Sequence, residues 1–258
     1  MDDPRVYLQT IVYNKYPIFY IKGEYRSKAL LRDKGTQKEK VNVLKQYTKK
    51  LNIKTFIDVG ANYGEFAVFL HDIVDRVICY EPGPVVFPCL QQTCKLYLNI
   101  ECHQQLISNI NGVGTLYYDN RGSTGSSSIY ETVPNYAGTD CPRDIQSISL
   151  QQFTLDSLHI QAKNIAIKVD VEGAENLIVR GAHNIIRAAD NILIMYEYNV
   201  KAIEHSGFNI NDWWEQTNTL PHRYVVNKNS TISVLESRPS NDKDILLSNK
   251  DLQKCMSF

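Results

Sequence analysis

The sequence predicts a doubly wound α/β fold with a mostly parallel sheet. Short apolar runs alternate with helical patterns through the middle of the 258 residues. The runs are continuously apolar, as strands covered on both faces should be. The first of them ends in a glycine turn that leads directly into a helical pattern. Folds of this class bind ligands at the carboxyl ends of their strands, so a candidate site is expected there.

The composition is that of an ordinary globular protein, with 43% hydrophobic and 22% charged residues. Lys+Arg and Asp+Glu both number 28, which argues against a broad basic nucleic-acid surface, although a local patch can hide inside a neutral total. No run approaches the roughly 20 apolar residues of a membrane-spanning helix, and the acidic start has no apolar signal-peptide region. The six cysteines form no CxxC pair, which favours reduced thiols and no zinc site. We therefore expect a cytoplasmic protein with no nucleic-acid partner and no membrane insertion.

The chain is expected to form one domain preceded by a cap. Residues 1–35 are interpreted as an irregular cap segment with strand character in "YPIFYIKG", and residues 36–258 as the main domain. The main domain begins with a capping box, "TQKE", in which Thr36 is the N-cap and Glu39 reaches back to it. The helix that follows has its apolar residues at helical spacing, at Val41, Leu44 and Leu51.

The first half of the main domain is predicted to alternate strands and helices. Three strands are predicted, at residues 53–60, 76–81 and 100–108. Helical patterns follow the first two, "EFAVFLHDI" and "VVFPCLQQTCKLYL", the second with a proline near its first turn, where proline is tolerated. The segment "NINGVGTLYYD" indicates a turn and an added strand. The Gly/Ser-rich stretch 120–128 comes next and suits a mobile loop over a site.

The second half continues the pattern. An alternating strand with a short helical turn is predicted in "IQSISLQQFTLDSL". Buried strands at residues 164–170 and 191–199 flank a helix in "AENLIVRGAHNIIRAA". Three late strands are predicted in "HRYVVN", "TISVLE" and "DILLSN". The pair Trp213 and Trp214 is interpreted as packing on the sheet rather than as a sugar platform.

The first candidate site is "FIDVGANYGEF". Asp58 ends a strand, and Gly60 and Gly64 let the backbone pass close to a ligand and turn into a helix. A dinucleotide is disfavoured, because residue 62 is Asn rather than the fingerprint glycine and Asp58 would repel a pyrophosphate. Glu81 ends the next strand, where this fold places an acid on a ribose diol. An adenosine with a positively charged amino-acid tail, S-adenosylmethionine, suits both acids.

The order of several motifs resembles the FkbM-type methyltransferases. These motifs are "FIDVGANYGEFAVFL", "YEPGP", "ISNINGVGTLYY…GSSSI", "FTLDSL" and "IKVDVEGAENLIVRGA", and "DILLSNKD" looks like the family's last strand. The resemblance implies a Rossmann-like class I methyltransferase fold, with a mostly parallel seven-stranded sheet and an antiparallel last strand. It also implies S-adenosylmethionine as the cofactor and O-methylation, commonly of sugar or polyketide-type hydroxyls. Gly83 departs from the family, which more often has Asn before the second proline of "YEPGP".

The same resemblance assigns the cofactor-binding residues. Residues 106–108 would flank the adenine. The full expected set is Asp58, Gly60, Ala61, Asn62, Tyr63, Gly64, Phe66, Glu81, Pro82, Leu106, Ile107, Ser108 and Asp170.

The second candidate site, "IKVDVEGAENL", crowds three carboxylates into six residues. Asp170 ends a strand and should point into the crevice, and Gly173 should let Glu172 reach it as well. An alcohol acceptor needs a base, and neighbouring acids raise each other's pKa, so both acids are catalytic candidates. Glu175 lies in the first turn of a helix, where a carboxylate also stabilises the helix end. The expected substrate-binding residues are Ser127, Ser128, Glu172, Glu175 and Glu197.

Two rival chemistries are considered for this strand end. Amino-methylating enzymes carry an Asn/Asp-Pro-Pro-aromatic motif, which "DVEG" is not. Asp170 with Glu197 or Asn199 could hold Mg²⁺ or Mn²⁺, but the favoured prediction has no metal, and Glu197 then partners a basic side chain. We expect an S-adenosylmethionine-dependent O-methyltransferase acting on a hydroxyl, with a sugar in a glycan favoured as acceptor. The alternatives are a small-molecule or polyketide-type hydroxyl, and a non-catalytic nucleoside-binding module. The oligomeric state is left open.

Overall fold

The computed structural model describes residues 8–13, 16–32, 37–120, 124–132 and 144–254. Its strands are β1 (Leu8–Tyr13), β2 (Tyr16–Ile21), β3 (Thr55–Val59), β4 (Arg76–Tyr80), β5 (Ile100–His103), β6 (Leu106–Ile107), β7 (Gly112–Asp119), β8 (Ile145–Phe153), β9 (Asn164–Val169), β10 (Asn191–Tyr198), β11 (His222–Val226), β12 (Ile232–Val234) and β13 (Lys243–Ser248). Its helices are α1 (Tyr25–Arg32), α2 (Lys38–Lys50), α3 (Glu65–Leu70), α4 (Phe87–Cys94), α5 (Glu175–Arg180), α6 (His183–Ala188), α7 (Val200–Ser206) and α8 (Ile210–Thr217). Short 3₁₀ turns lie at Thr124–Ser126 and Leu155–Leu158.

The main sheet runs in the order β12-β11-β13-β10-β9-β3-β4-β5. Strands β10, β9, β3, β4 and β5 are parallel, while β13 runs antiparallel to both β10 and β11. The doubly wound α/β fold with its antiparallel last strand is therefore confirmed. Within the described residues the sheet has eight strands rather than the predicted seven, because β12 adds a short antiparallel edge strand to β11.

The predicted third strand, residues 100–108, is divided between two sheets. Strand β5 stays beside β4, whereas β6 leaves the main sheet and pairs with β8. Strands β6, β8 and β7 form a separate three-stranded sheet, and β7 and β8 are its antiparallel pair. The break turns Leu106 and Ile107 away from the main sheet, which makes them available to line a cavity.

Two helices replace the single helix predicted after residue 174. Helix α5 ends at Arg180 with Gly181 as its C-cap, and α6 starts at His183. A Cβ on Gly181 would lie 2.1 Å from the backbone oxygen of Ser108, so only glycine allows this approach. Helix α2 begins after Gln37, which has a left-handed φ of 70° and makes no side-chain cap. The predicted N-cap, Thr36, lies outside the described residues.

The core lies in two layers against the main sheet. One buried cluster joins Ile18 and Leu30 of the N-terminal segment to Leu44 and Phe56 of the main domain. The other contains Trp213 and Trp214, which pack against tyrosines of β10, in agreement with the interpretation of this pair. Fully burying one such aliphatic side chain contributes about 1.5–3 kcal/mol, so the N-terminal segment adds to the stability of the same core.

Two further features, the cysteines and the length of the helices, bear on the predictions from composition. The described cysteines are free thiols, at Cys79, Cys89, Cys94 and Cys102. Among the described residues, no helix is both long enough and apolar enough to cross a bilayer.

Candidate functional site

A cavity of about 280 Å³ opens at the carboxyl ends of strands β3, β4, β9 and β10. Gly60, Glu81, Asp170 and Glu197 bring these four strand ends to its wall. The volume is close to the lower end of the roughly 300–1,000 Å³ typical of small-molecule sites. The position is the one that a doubly wound sheet offers to ligands.

The glycine loop, residues 60–64, passes unusually close to a neighbouring strand. A Cβ on Gly60 would lie 1.9 Å from the backbone oxygen of Asp170, and the φ of Gly60 is +77°. Any larger residue would therefore push β3 and β9 apart at the cavity wall. Asn62 also has a positive φ, of 50°, a conformation that Asn tolerates better than most residues.

Glu81 holds both the glycine loop and the turn behind it. Its Oε2 accepts the backbone N–H of Asn62 at 2.8 Å, and its Oε1 accepts that of Gly83 at 2.7 Å. A Cβ on Gly83 would lie 2.8 Å from Oε1, so glycine at this position suits the carboxylate. Burial raises the pKa of Glu81 to about 7, against the effect of the two N–H donors. Glu81 still lines the cavity.

Lys168 is a buried cation between two carboxylates. Its Nζ lies 3.3 Å from Oδ1 of Asp58 and 3.4 Å from Oδ2 of Asp170, and it donates to the carbonyl oxygen of Gly60 at 2.8 Å. Burial alone would lower the pKa of Lys168, but the two carboxylates outweigh it and raise that pKa. Burial alone would raise the pKa of Asp170, but Lys168 and Lys40 hold it below its usual value. Burial raises the pKa of the deeper Asp58.

Three carboxylates lie close together beside Lys168. Oxygens of Asp170, Glu172 and Glu197 all lie within 4.8 Å of one another. Burial, followed by the charge of Asp170, raises the pKa of Glu197 to about 7. Such oxygens match a hard divalent cation in type, but the ammonium groups of Lys168 and Lys40 already place positive charge around the cluster. The cluster thus contains one acid held ionised and one that titrates near neutral pH.

The loop that carries Glu172 is strained and firmly held. Glu172 has a φ of 55°, which a residue with an acidic side chain rarely adopts, and the next residue, Gly173, has a φ of 98°. Ser128 Oγ donates to the carbonyl oxygen of Glu172 at 2.8 Å, and Trp213 Nε1 donates to that of Gly173 at 3.1 Å. Glu175 accepts the N–H groups of Val171 and Gly173 and is buried. The strain is therefore maintained by contacts from three directions.

A sequence model of the methyltransferase FkbM domain matches residues 58–226, well over half of the chain. The chain belongs to this family. As a member, it is an S-adenosylmethionine-dependent methyltransferase. No curated protein matches the sequence.

Comparison with solved structures finds, among others, three methyltransferases. A TehB-like SAM-dependent methyltransferase from Corynebacterium glutamicum has 11% identity and a TM-score of 0.46, with 87% of this chain and 95% of the other covered. An O-methyltransferase from Bacillus cereus in complex with SAH has 10% identity, a TM-score of 0.45 and coverages of 86% and 85%. The N-methyltransferase NodS from Bradyrhizobium japonicum has 9% identity, a TM-score of 0.41 and coverages of 85% and 95%. These values are too low to bear on the reaction.

Most of the residues expected to hold the cofactor and acceptor of this FkbM methyltransferase line the cavity. They are Gly60, Ala61, Asn62, Phe66, Glu81, Pro82, Leu106, Ile107, Asp170, Ser127, Ser128, Glu172 and Glu197. The structure thus brings these residues together around one cavity, and their roles in binding stay predictions.

Five expected residues, all of them described, lie outside the cavity wall, and each has a structural partner or a packing role instead. Asp58 is fully buried and pairs with Lys168, so it does not face a ligand as predicted. Glu175 lies in the first turn of α5, as expected, but it braces the loop before that helix by accepting two backbone N–H groups. Gly64 lies under Leu90 of α4, Tyr63 points to Glu24, and Ser108 lies beneath Gly181.

The cavity also contains residues that the sequence reasoning missed. Lys168 sits inside an apolar strand, where its charge partners are not visible from the spacing of residues. Arg26 comes from the N-terminal segment and Gln37 from the start of the main domain, and Arg26 forms an ion pair with Glu65 of α3 at the cavity wall. Among these missed residues, Glu65 could have been found from the sequence, because it begins α3 directly after the glycine loop.

Proposed function

We propose that this FkbM methyltransferase is an O-methyltransferase that acts on a hydroxyl of a neutral, polyhydroxylated acceptor, with a sugar in a glycan as the favoured case. The observation that carries the proposal is the carboxylate cluster at the ends of β9 and β10, with one pKa near 7. A base tuned to neutral pH is what deprotonation of an alcohol requires.

S-adenosylmethionine would occupy the strand-end cavity and supply a methyl group on a sulfonium centre. Glu81 is placed to accept ribose hydroxyls, because it lines the cavity at the end of β4. Leu106 and Ile107 offer an apolar wall for an adenine ring. Gly60 lines the cavity at the end of β3, so its backbone is placed to lie against the cofactor. These features fit the cofactor without any contribution from Asp58.

The acceptor side of the cavity favours neutral hydroxylated molecules. Its wall carries polar groups that exchange hydrogen bonds with hydroxyls, among them Gln37 and Ser127. Among the described residues that line the cavity as a whole, carboxyl groups outnumber cations, since five acids line it against Arg26 and Lys168. A phosphate or carboxylate beside the reacting hydroxyl would meet this excess of negative charge.

Glu197 is the group that we assign as the base. Asp170 is held ionised by Lys168 and Lys40, so its low pKa makes it a weak proton acceptor. Glu197, with a pKa of about 7, would take the proton of the acceptor hydroxyl, whose oxygen would receive the methyl group while the cofactor's sulfur leaves as the neutral thioether of S-adenosylhomocysteine. Asp170 and Glu172 would then orient the acceptor. The remainder of the catalysis is positioning of the two reactants.

The experiment is a methyl-transfer screen with tritium-labelled S-adenosylmethionine. The acceptors are neutral oligosaccharides, the same sugars carrying a phosphate, and amino sugars whose hydroxyls are blocked. We expect label in an alkali-stable ether on the neutral sugars only. Transfer confined to the blocked amino sugars would contradict O-methylation, and preference for the phosphorylated sugars would contradict a neutral acceptor.

A further inference from the structure

Glu24 is a buried acid of the N-terminal segment, outside residues 58–226 that match the family. It directly precedes α1, and its Oε2 accepts the backbone N–H of Ser27 at 2.8 Å, which caps the helix. The hydroxyl of Ser27 returns a hydrogen bond to the Glu24 carbonyl oxygen at 2.7 Å. Helix capping alone would leave the carboxyl at the surface, yet Glu24 is only 6% exposed. Its burial therefore calls for other partners.

Those partners come from the two sides of the cavity. The hydroxyl of Tyr63, in the glycine loop, donates to Oε2 of Glu24 at 2.9 Å. The backbone N–H of Thr124 donates to Oε1 at 2.9 Å. Thr124 starts the acceptor-side loop, residues 124–128, which also lines the cavity. One carboxyl thus accepts donors that lie 61 positions apart in the chain.

The far end of the acceptor-side loop is anchored on the loop that carries the cavity acids. Ser128 donates through Oγ to the carbonyl oxygen of Glu172, and its backbone exchanges two hydrogen bonds with Tyr117 of β7. Glu24 supplies the anchor at the other end. Gly125 lies between these two anchors. A Cβ on Gly125 would lie 3.7 Å from the side chain of Arg26, so the loop packs against that residue. The loop is therefore held from the N-terminal segment on one side and from Glu172 on the other.

The hydrogen at Tyr63 stays on the phenol. Burial, followed by the nearby carboxyl of Glu24, raises the pKa of Tyr63 far above its usual value. Tyr63 is therefore a permanent donor to Glu24 rather than a titrating group. Arg26 adds a second link between the same elements, because it pairs with Glu65 in the first turn of α3.

We propose that Glu24 is a positioning residue that couples the glycine loop to the acceptor-side loop, so that a cofactor held by the first also orders the second. This inference rests on the proposed function insofar as the cavity takes S-adenosylmethionine. The family match does not include Glu24, and the residue touches no reacting atom. Its effect passes through the Tyr63 hydroxyl and the Thr124 amide.

The test is hydrogen exchange of the peptide 124–132, followed by mass spectrometry, with and without S-adenosylhomocysteine. In the wild-type chain we expect the compound to slow this exchange. In Glu24→Gln, whose amide group must face an N–H donor, we expect exchange without ligand to rise by about tenfold or more and to become insensitive to the ligand. Tyr63→Phe, which keeps the cap and the Thr124 contact, should retain slow exchange but lose the response. Glu204→Gln, an exposed acid of α7, is the matched control.

The outcomes separate this proposal from the function. Calorimetry on the same samples shows whether S-adenosylhomocysteine binds; absence of binding overturns the proposed function, while the exchange of Glu24→Gln without ligand still tests the anchor. Unchanged exchange in Glu24→Gln, or a full ligand response in Tyr63→Phe, overturns the coupling. If Glu24→Gln does not fold, Tyr63→Phe decides alone.

Discussion

Glu197 and Asp170 are neighbouring acids with opposite environments. Lys168 lies 3.4 Å from Asp170 and holds its pKa down, while burial and that same negative charge raise the pKa of Glu197 to about 7. Acids whose pKa values are driven apart by their surroundings take different parts in acid–base chemistry. Asp170 is then a fixed charge, and Glu197 is the group that exchanges a proton near neutral pH.

The pH dependence of the rate should report this difference. Because a base must be ionised to accept a proton, kcat should rise with pH through about 7 and then level off. Glu197→Gln should lower kcat by about 10²–10⁴ and remove that dependence. Steady-state rates across pH, with the acceptor found in the screen, measure both effects. Glu204→Gln should keep the wild-type profile. A profile unchanged in Glu197→Gln would exclude it as the base.

Gly60 allows a clean comparison, because Gly207 shares its backbone conformation without its crowding. Gly60→Ala would place a Cβ 1.9 Å from a backbone oxygen, whereas Gly207→Ala, at a φ of +81°, has nothing within 4 Å. We expect Gly207→Ala to cost about 1 kcal/mol in the free energy of unfolding and Gly60→Ala about 4 kcal/mol or more. Urea denaturation measures both. Equal costs would mean that only the positive φ matters at Gly60.

The strand-end acids were visible in the sequence, but their partners were not. Asp58, Glu81 and Asp170 each follow a short apolar run, so their position at a sheet edge could be predicted. Whether such an acid faces a ligand depends on what else reaches it. Lys168 lies inside a strand, and only the pairing of β3 with β9 brings its side chain to Asp58.

At the scale of elements, the segment between β9 and α5 is braced by a carboxyl that is neutral near physiological pH. Glu175 accepts two backbone N–H groups while buried, and burial raises its pKa to about 8. The three crowded carboxylates of "IKVDVEGAENL" therefore avoid mutual repulsion in part because one of them is protonated. Glu175 supports the strained turn at Glu172 from inside the protein.

A stability measurement against pH tests that support. The folded chain keeps the Glu175 proton up to about pH 8, whereas the unfolded chain releases it near the usual 4.5. The folded state is thus favoured at low pH, and this contribution is lost as pH rises through that window. Glu175→Gln lacks this titration. The difference in free energy of unfolding, Glu175→Gln minus wild type, should therefore increase between pH 5 and pH 9.

Denaturation at several pH values, with Glu204→Gln as control, follows that difference. A constant offset between Glu175→Gln and the wild type would show that Glu175 is ionised throughout.

The elements themselves were predicted best where the pattern is local. The buried strands β3, β4, β9 and β10 follow from continuous apolar runs, and α4 starts beside the proline that suits a first turn. The division of residues 100–108 between β5 and β6 was missed, because it depends on β8 offering a second sheet. The break in the helix after residue 174 was missed for the same kind of reason: Gly181 meets Ser108, far away in sequence.

At the scale of the molecule, the N-terminal segment is part of the main core. Ile18 is fully buried in the cluster that also holds Phe56 of β3. Strand β2 is further joined to α4 by a hydrogen bond from the backbone N–H of Phe19 to Thr93 Oγ1 at 3.0 Å. These contacts, together with those of Glu24, indicate that the segment folds with the main domain.

A single substitution tests whether the N-terminal segment and the main domain unfold together. Ile18→Ala should lower the free energy of unfolding by about 2–5 kcal/mol and shift one cooperative transition. Val12→Ala, on the exposed face of the same hairpin at 67% exposure, should change it by less than about 0.5 kcal/mol. Far-ultraviolet circular dichroism and tryptophan fluorescence should give coincident curves. A separate early transition in Ile18→Ala, with an unchanged main midpoint, would show that the segment is an independent unit.

The neutral total charge conceals an uneven distribution along the chain. Residues 22–54 contain eleven of the 28 Lys+Arg residues and three of the 28 Asp+Glu residues. The remainder of the chain, which includes all five acids described in the cavity wall, is correspondingly acidic. The excess of acids over cations among the described cavity residues therefore follows the acidic remainder of the chain and not the neutral total.

The central claim is that the strand-end cavity holds S-adenosylmethionine with Glu81 at its ribose. Calorimetric titration with S-adenosylhomocysteine tests it most directly, on the wild type, on Glu81→Gln and on the control Glu204→Gln. We predict one binding site in the wild type and in the control, and binding at least about tenfold weaker in Glu81→Gln. No binding by the wild type, or equal affinity in all three, would contradict the account.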